Sequence, residues 1–204
     1  MKVLAFVGSP RKRGNSDILA DTFLEGAAAA GAQVEKFFLA DLTINQCRGC
    51  FRNCMTKPGL RCAVHRDDMD MLLERIAAAD LMLFVSPLYC ATYSAIMARF
   101  FERCLPLWEV EIVGELGTMD ALRFINNPAK GKKAVIALVQ DLRDARVGEI
   151  ALKAYEHNLG STYMMEIVGR IHVTDVRDVG DLARKTERLE EIRALGRQLA
   201  SSRV

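Results

Sequence analysis

KVLAFVGSPRKRGNS, residues 2–16, decides the architecture. Lys2 to Val7 is a nearly unbroken apolar run closed by Gly8 and Pro10, the pattern of a strand buried on both faces. A polar loop, SPRKRGNS, follows. From Ser16 apolar or small residues recur at Leu19, Thr22, Phe23, Gly26, Ala27 and Ala30, one face of a helix that Gly31 stops. Strand, glycine-bearing loop and helix in that order open a parallel sheet.

The same alternation continues outward. Val34 to Leu39 reads as a second strand, and Asp67 and Asp68 open a helix whose inner face is Met69, Leu72, Leu73, Ile76 and Ala77. Leu81 to Val85 is a third strand ended by Ser86 and Pro87, and Ala91 to Leu105 has helical character. Residues 106–131, rich in Gly, Asn and Pro, form an irregular excursion, a length of loop that usually carries function or an interface. Lys133 to Gln140 is a fourth strand, Val147 to Leu159 a helix stopped by Gly160, and Thr162 to Val173 a fifth strand. Leu182, Leu189, Ile192 and Leu199 line a charged closing helix. Five alternations imply an α/β fold, a parallel sheet covered by helices on both faces, as one domain over 1–204. Ligands of such sheets sit beyond the carboxyl ends of the strands, where the strand order reverses.

Composition narrows the function classes. Half of the 204 residues are hydrophobic and 26% are charged, the balance of a soluble globular protein. No stretch of roughly twenty apolar residues occurs, so no membrane partner is expected. The net charge of +2 comes from interspersed acids and bases, with RKR at 11–13 the only compact basic run, so no nucleic-acid surface is expected either. The apolar run before Gly8 is too short for a secretory signal, which points to the cytoplasm. In that reducing compartment clustered cysteines read as metal ligands or redox thiols rather than disulfides.

Two loops carry chemistry. GSPRKRGNS has the makings of a phosphate cradle: Ser9 and Ser16 offer hydroxyls, Arg11 a charged fork, and the following helix its unpaired N–H groups. It is neither a Walker loop nor G-x-G-x-x-G. The loop after the third strand, SPLYCATYSAIMARFFER (86–103), brings Tyr89 and Tyr93 to the same crevice, where aromatic side chains suit a flat heteroaromatic ring.

Taken together, these two motifs resemble the NADPH-dependent FMN reductase group of flavodoxin-like proteins, over roughly residues 1–105. The resemblance implies a flavodoxin-like three-layer sandwich with a five-stranded parallel sheet in the order 2-1-3-4-5. It implies FMN held through its phosphate by Ser9, Arg11, Asn15 and Ser16, with Pro87, Leu88, Tyr89, Cys90 and Ala91 bordering the isoalloxazine and Gln140 and Asp141 completing the site. NAD(P)H is then the co-substrate, and a small molecule or a redox protein the electron acceptor. FMN itself carries the redox chemistry, so no side chain is assigned a catalytic role. A homodimer or homotetramer is implied too, and Trp108 and Phe124 mark 106–131 as the candidate interface. A flavodoxin-like electron carrier with no turnover of its own is the rival.

The loop 45–66 places Cys47, Cys50, Cys54 and Cys62 in the spacing C-x2-C-x3-C-x7-C ahead of DDM at 67–69. This is similar to the iron-sulfur flavoproteins within that group, whose pattern is C-x2-C-x2-C-x4-7-C; the middle gap here is one residue longer. Four soft thiolates suit a 4Fe-4S cluster or zinc. Zinc sites favour two well-formed C-x2-4-C knuckles, and only the first is present. Metal-free thiols, with Cys47 and Cys50 as a redox pair in a sensing domain, are the third possibility. In the 2-1-3-4-5 order the cysteine loop is expected to emerge on the flavin's edge of the sheet. Cys90 and Cys104 read as packing residues, and His65, His157 and His172 are scattered.

Overall fold

The computed structural model describes residues 1–115 and 117–202. In chain order the strands are β1 (Lys2–Val7), β2 (Gln33–Phe38), β3 (Leu81–Tyr89), β4 (Thr92–Tyr93), β5 (Glu109–Ile112), β6 (Leu122–Asn126), β7 (Lys133–Val139) and β8 (Glu166–Val173). The helices are α1 (Asn15–Ala29), α2 (Arg52–Met55), α3 (Met69–Ala78), α4 (Ala95–Arg103), α5 (Glu149–Glu156) and α6 (Thr186–Ser201). The main sheet runs β2-β1-β3-β7-β8 with every pair parallel. Counting only these long strands, that is the flavodoxin-like order 2-1-3-4-5.

Strand period alone divides the core. Leu4 and Phe6 of β1 point to one face with Met82 and Phe84 of β3 and Ile136 of β7, where α3, α4 and α5 pack. Val3, Ala5 and Val7 point to the other with Leu81, Leu83, Val85, Val135 and Ala137, covered by α1 and α6. The register sets Phe6 opposite Phe37 and Phe84, and these rings stack at 5.5 and 5.2 Å. Phe100 of α4 stacks on Phe6 at 4.9 Å. A fully buried side chain of this size contributes about 1.5 to 3 kcal/mol, so this cluster fixes α4 against the sheet centre.

Several elements depart from the sequence expectation, among them the helix expected from Ala91, which starts at Ala95 behind the strand Thr92–Tyr93. The third strand does not end at Val85, because Leu88 and Tyr89 pair antiparallel with Tyr93 and Thr92 and carry β3 into a short hairpin. The fifth strand starts at Glu166 rather than Thr162, since His157–Thr162 continues α5 as a π-helical turn closed by Tyr163 N–H donating to Asn158 O at 3.0 Å. The fourth helix itself starts at Glu149, two residues after Val147, behind a 3-10 turn over Ala145–Gly148. The excursion 106–131 holds the antiparallel pair β5–β6. Its Trp108 faces inward: the indole meets Phe124 edge-on at 5.1 Å, Nε1 donates to Thr162 O at 3.0 Å, and the residue is buried. Trp108 therefore anchors the excursion to its own chain instead of lining an interface.

Candidate functional site

The topological reversal lies between β1 and β3, and a cleft of about 750 Å³, its open mouth included, sits beyond their carboxyl ends. Ser9, Arg11, Gly14, Asn15 and Ser16 form one wall. Ser9 and Ser16 are buried, and Ser9 Oγ accepts the Arg11 N–H at 3.1 Å, which folds the loop back on itself. Gly14 is the N-cap of α1 and supplies no side-chain cap, so the first-turn N–H groups and the positive end of the helix remain available to an anion. The one acid in that turn, Asp17, is already engaged: it accepts the Arg13 N–H at 2.8 Å and pairs with Lys36 Nζ at 2.7 Å.

Asn15 lines the cleft, but its amide is committed to the backbone. Nδ2 donates to Asp178 O at 2.9 Å and Oδ1 accepts Leu182 N–H at 3.0 Å. It thus ties α1 to the segment after β8.

Pro87, Leu88 and Tyr89 form the second wall, whereas Cys90 and Ala91 lie at the hairpin tip outside the lining. Both tip residues have positive φ, 49° and 58°, as the two central residues of a tight hairpin turn require. Glycine and asparagine are the usual occupants, and each ordinary residue held there costs about 1 to 2 kcal/mol. The hairpin is fastened to the first loop by Ser94. Its hydroxyl donates to Gly8 O at 2.5 Å and accepts Met97 N–H at 3.2 Å as the N-cap of α4, while its own N–H donates to Ser86 Oγ at 2.8 Å. A Cβ on Gly8 would stand 2.9 Å from Met97 Cβ, so only glycine lets the two loops meet this closely.

Gln140 and Asp141 complete the floor with Val139. Gln140 is buried with its side chain turned away from the cleft, donating to Leu142 O and Asp144 O at 2.8 and 2.9 Å and accepting from His172 at 2.9 Å. Burial lowers the His172 pKa, and the amide oxygen of Gln140 requires the His172 Nε2–H as donor. A fourth wall, Val176–Val179, was not among the expected site residues. Contacts distant in sequence bring it to the cleft, from Asn15 of the first loop and from the loop after β7, and no local pattern in the sequence records them.

The four cysteines converge elsewhere. Cys47, Cys50, Cys54 and Cys62 line a second, smaller cavity with Arg48, Glu102, Arg103 and Pro106. It shares no lining residue with the cleft: the cleft adjoins the hairpin before α4, the cysteines gather at its other end, and nine residues of helix, about 13 Å, stand between. The sulfurs therefore line a cavity separate from the cleft of their own chain, while the segment leaving β2 meets the first loop through Lys12 and Asp41 at 2.7 Å. Cys47 Sγ accepts Gly49 N–H at 3.5 Å, and Cys62 Sγ accepts Val64 and His65 N–H at 3.5 and 3.4 Å. Burial, reinforced by negative charge on Cys50, Cys62 and Cys47, pushes the Cys54 thiol up to about 11. Among the described residues no three His, Cys, Asp or Glu side chains stand close enough to hold one metal ion. Between Cys47 and Arg66 the chain has no acid but Arg48, Arg52, Lys57, Arg61 and Arg66. Cys104 is buried and does not line the cavity, and all six thiols are free.

A doubly wound parallel sheet with an anion-ready helix end and an aromatic hairpin at its switch point defines a coenzyme-binding α/β protein of the flavodoxin type. Residues 1–142 match the NADPH-dependent FMN reductase family, and the chain belongs to it. An iron-sulfur flavoprotein of Archaeoglobus fulgidus is 38% identical over 106 residues, 52% of this chain and 46% of that protein. One from Methanocaldococcus jannaschii is 36% identical over 107 residues, 52% of this chain and 53% of its own. The matched stretch thus spans about half the length of these relatives. Among solved structures, an NAD(P)H:quinone oxidoreductase from Methanothermobacter marburgensis superposes with a TM-score of 0.69 at 17% identity, covering 98% of both chains, which is a likeness of fold. No helix among the described residues is long and apolar enough to cross a membrane.

Proposed function

We propose that the chain is an FMN-dependent NAD(P)H oxidoreductase of the cytoplasm that passes electrons to a small-molecule or protein acceptor. The observation that carries this is the cleft itself: an uncapped helix N-terminus with two buried serines and Arg11 at one end, and Tyr89 on a strained hairpin at the other. The donor set fits a molecule that is dianionic at one end and flat at the other. Ser9, Arg11 and Ser16 hold the phosphate, and Asn15 positions the wall beside it. Pro87, Leu88 and Tyr89 would border the ring, with Cys90 and Ala91 at the tip of the same hairpin and Gln140 and Asp141 completing the site. Bound FMN would supply the redox chemistry, two-electron transfer between reduced nicotinamide and the acceptor. The residues bind and orient it; Gly8 and Ser94 keep phosphate loop and hairpin in register, and the stiff turn fixes the height of the ring's neighbour.

The four cysteines suit a 4Fe-4S cluster. Supporting this are their convergence on one cavity, the amide donors aimed at two sulfurs, the surrounding cations, and the relatives' name. A single zinc ion needs four sulfurs about 2.3 Å from one point, tighter than this set. Because α4 separates the cysteines from the cleft of the same chain, one-electron exchange with a flavin is better served by the cleft of a second copy, which fits a homodimer or homotetramer. Exposed Phe51, Val113, Met119 and Ile125 lie on the cysteine loop and the excursion.

The test is anaerobic purification followed by the visible spectrum and by NADH and NADPH oxidation with a soluble quinone. A yellow-brown protein that turns over either nucleotide is expected. A coloured protein silent with both would make it a carrier, and a colourless one would remove the redox assignment.

A further inference from the structure

Val176–Val179 lies beyond the stretch that matches the family, yet it forms one wall of the cleft. Three sets of bonds hold it there. Asp181 Oδ2 accepts the N–H groups of Arg177 and Asp178 at 2.9 and 2.8 Å. Asn15 spans from Asp178 O to Leu182 N–H. Val176 N–H donates to Gln140 O at 3.2 Å, and Asp175 N–H to Leu142 O at 3.1 Å. A segment tied both to the phosphate loop and to the loop after β7 is preorganised, so its side chains meet a ligand without first being ordered.

Arg177 and Arg11 line this cleft together, and among the described residues neither has a carboxylate within ion-pair distance. The nearby Arg184, by contrast, is paired with Asp181. Two unpaired guanidinium groups around one recess, beside an open helix N-terminus, match the charge of a phosphate monoester dianion. The carboxylates of Asp141 and Asp178 line the same cleft and are the wrong sign for that anion, but they suit the hydroxyl donors of a polyol chain.

We infer that Arg177 is a second cationic ligand of the FMN phosphate and that Val176–Val179, in the carboxyl-terminal segment, is a fourth FMN-binding element. The inference rests on the FMN assignment above. FMN and riboflavin differ only in the phosphate, so comparing their affinities isolates the charge.

The test titrates both flavins into the flavin-stripped protein, wild type and the Arg177→Met and Arg177→Lys variants, by fluorescence quenching, with thermal melting to show that each variant is folded. Arg177→Met should weaken FMN by about 10-fold or more, as loss of a charge-assisted contact implies, and leave riboflavin within about 2-fold. Arg177→Lys should fall between, since it keeps the charge and loses the fork. Unchanged FMN affinity in Arg177→Met, with wild type binding FMN, overturns the inference and leaves the FMN assignment standing. Equal weakening of both flavins also overturns it, because Arg177 would then act on the fold of the loop. Wild type that takes up no FMN removes both.

Discussion

Arg103 and Asp67 face each other as a two-pronged ion pair, Nη1 to Oδ2 at 2.8 Å and Nη2 to Oδ1 at 3.0 Å, with 2% and 1% of their side chains exposed. Arg103 Nη1 also donates to Asn45 O at 2.6 Å, and Asp67 accepts the Asn45 N–H at 2.9 Å. Asn45 starts the cysteine loop and Asp67 follows it, so one guanidinium at the end of α4 holds both of its ends.

Removing one partner of a buried pair strands the other, at a cost of about 3 to 5 kcal/mol. Arg103→Met should lose that much in a urea titration; a loss below about 1 kcal/mol would mean the clamp does not hold the loop. The pair also sets an acid limit. Burial opposes the Asp67 charge, but Arg103 and Asn45 outweigh it and keep the carboxyl below its usual range. A depressed folded-state pKa contributes stability that is complete above the unfolded value, near 4, and fades as pH falls below it. Wild type should therefore lose stability below about pH 4 more steeply than Asp67→Asn.

If the cysteines hold a cluster, Cys47→Ser and Cys54→Ser should each lower the iron bound after anaerobic purification well below the about four atoms per chain of a cubane. Cys104→Ala should keep it, since Cys104 does not line the cavity. Equal iron in all variants would remove the assignment.

The closest approach of α1 and α6 depends on two glycines. A Cβ on Gly196 would stand 2.2 Å from Phe23 O, and one on Gly26 2.0 Å from Arg193 O. Backbone cannot yield as a side chain does, so Gly196→Ala should destabilise by about 2 kcal/mol or more, although alanine gains about 1 kcal/mol in helix propensity. A rise in melting temperature would contradict this packing.

Ala91→Gly should relax the hairpin. Relief of the positive φ, about 1 to 2 kcal/mol, exceeds the entropy that glycine adds to the unfolded chain, about 0.5 to 1 kcal/mol. A small gain in melting temperature with weaker FMN binding is expected; a large loss of stability would show that the turn is not strained.

What was legible in the sequence was what is local. The apolar run 2–7, the loop 8–16 and the face Leu19 to Ala27 record their own structure, because period and turn chemistry act over a few residues. The hairpin at Cys90 and Ala91 was not legible, since its turn normally announces itself with Asn-Gly. Nor was the meeting of Gly26 with Arg193, or of Asn15 with Asp178: each joins residues more than 160 positions apart, and only the folded layers bring them together. The cysteine spacing marked a cluster of sulfurs without saying at which end of α4 it would lie.

The central claim is that the turn leaving β1 grips the phosphate of a flavin. Equilibrium titration of the flavin-stripped protein with FMN and riboflavin tests it most directly. Saturation near one FMN per chain, with riboflavin bound at least about 10-fold more weakly, is the expected result; no uptake of FMN, or equal affinity for the two, would contradict it.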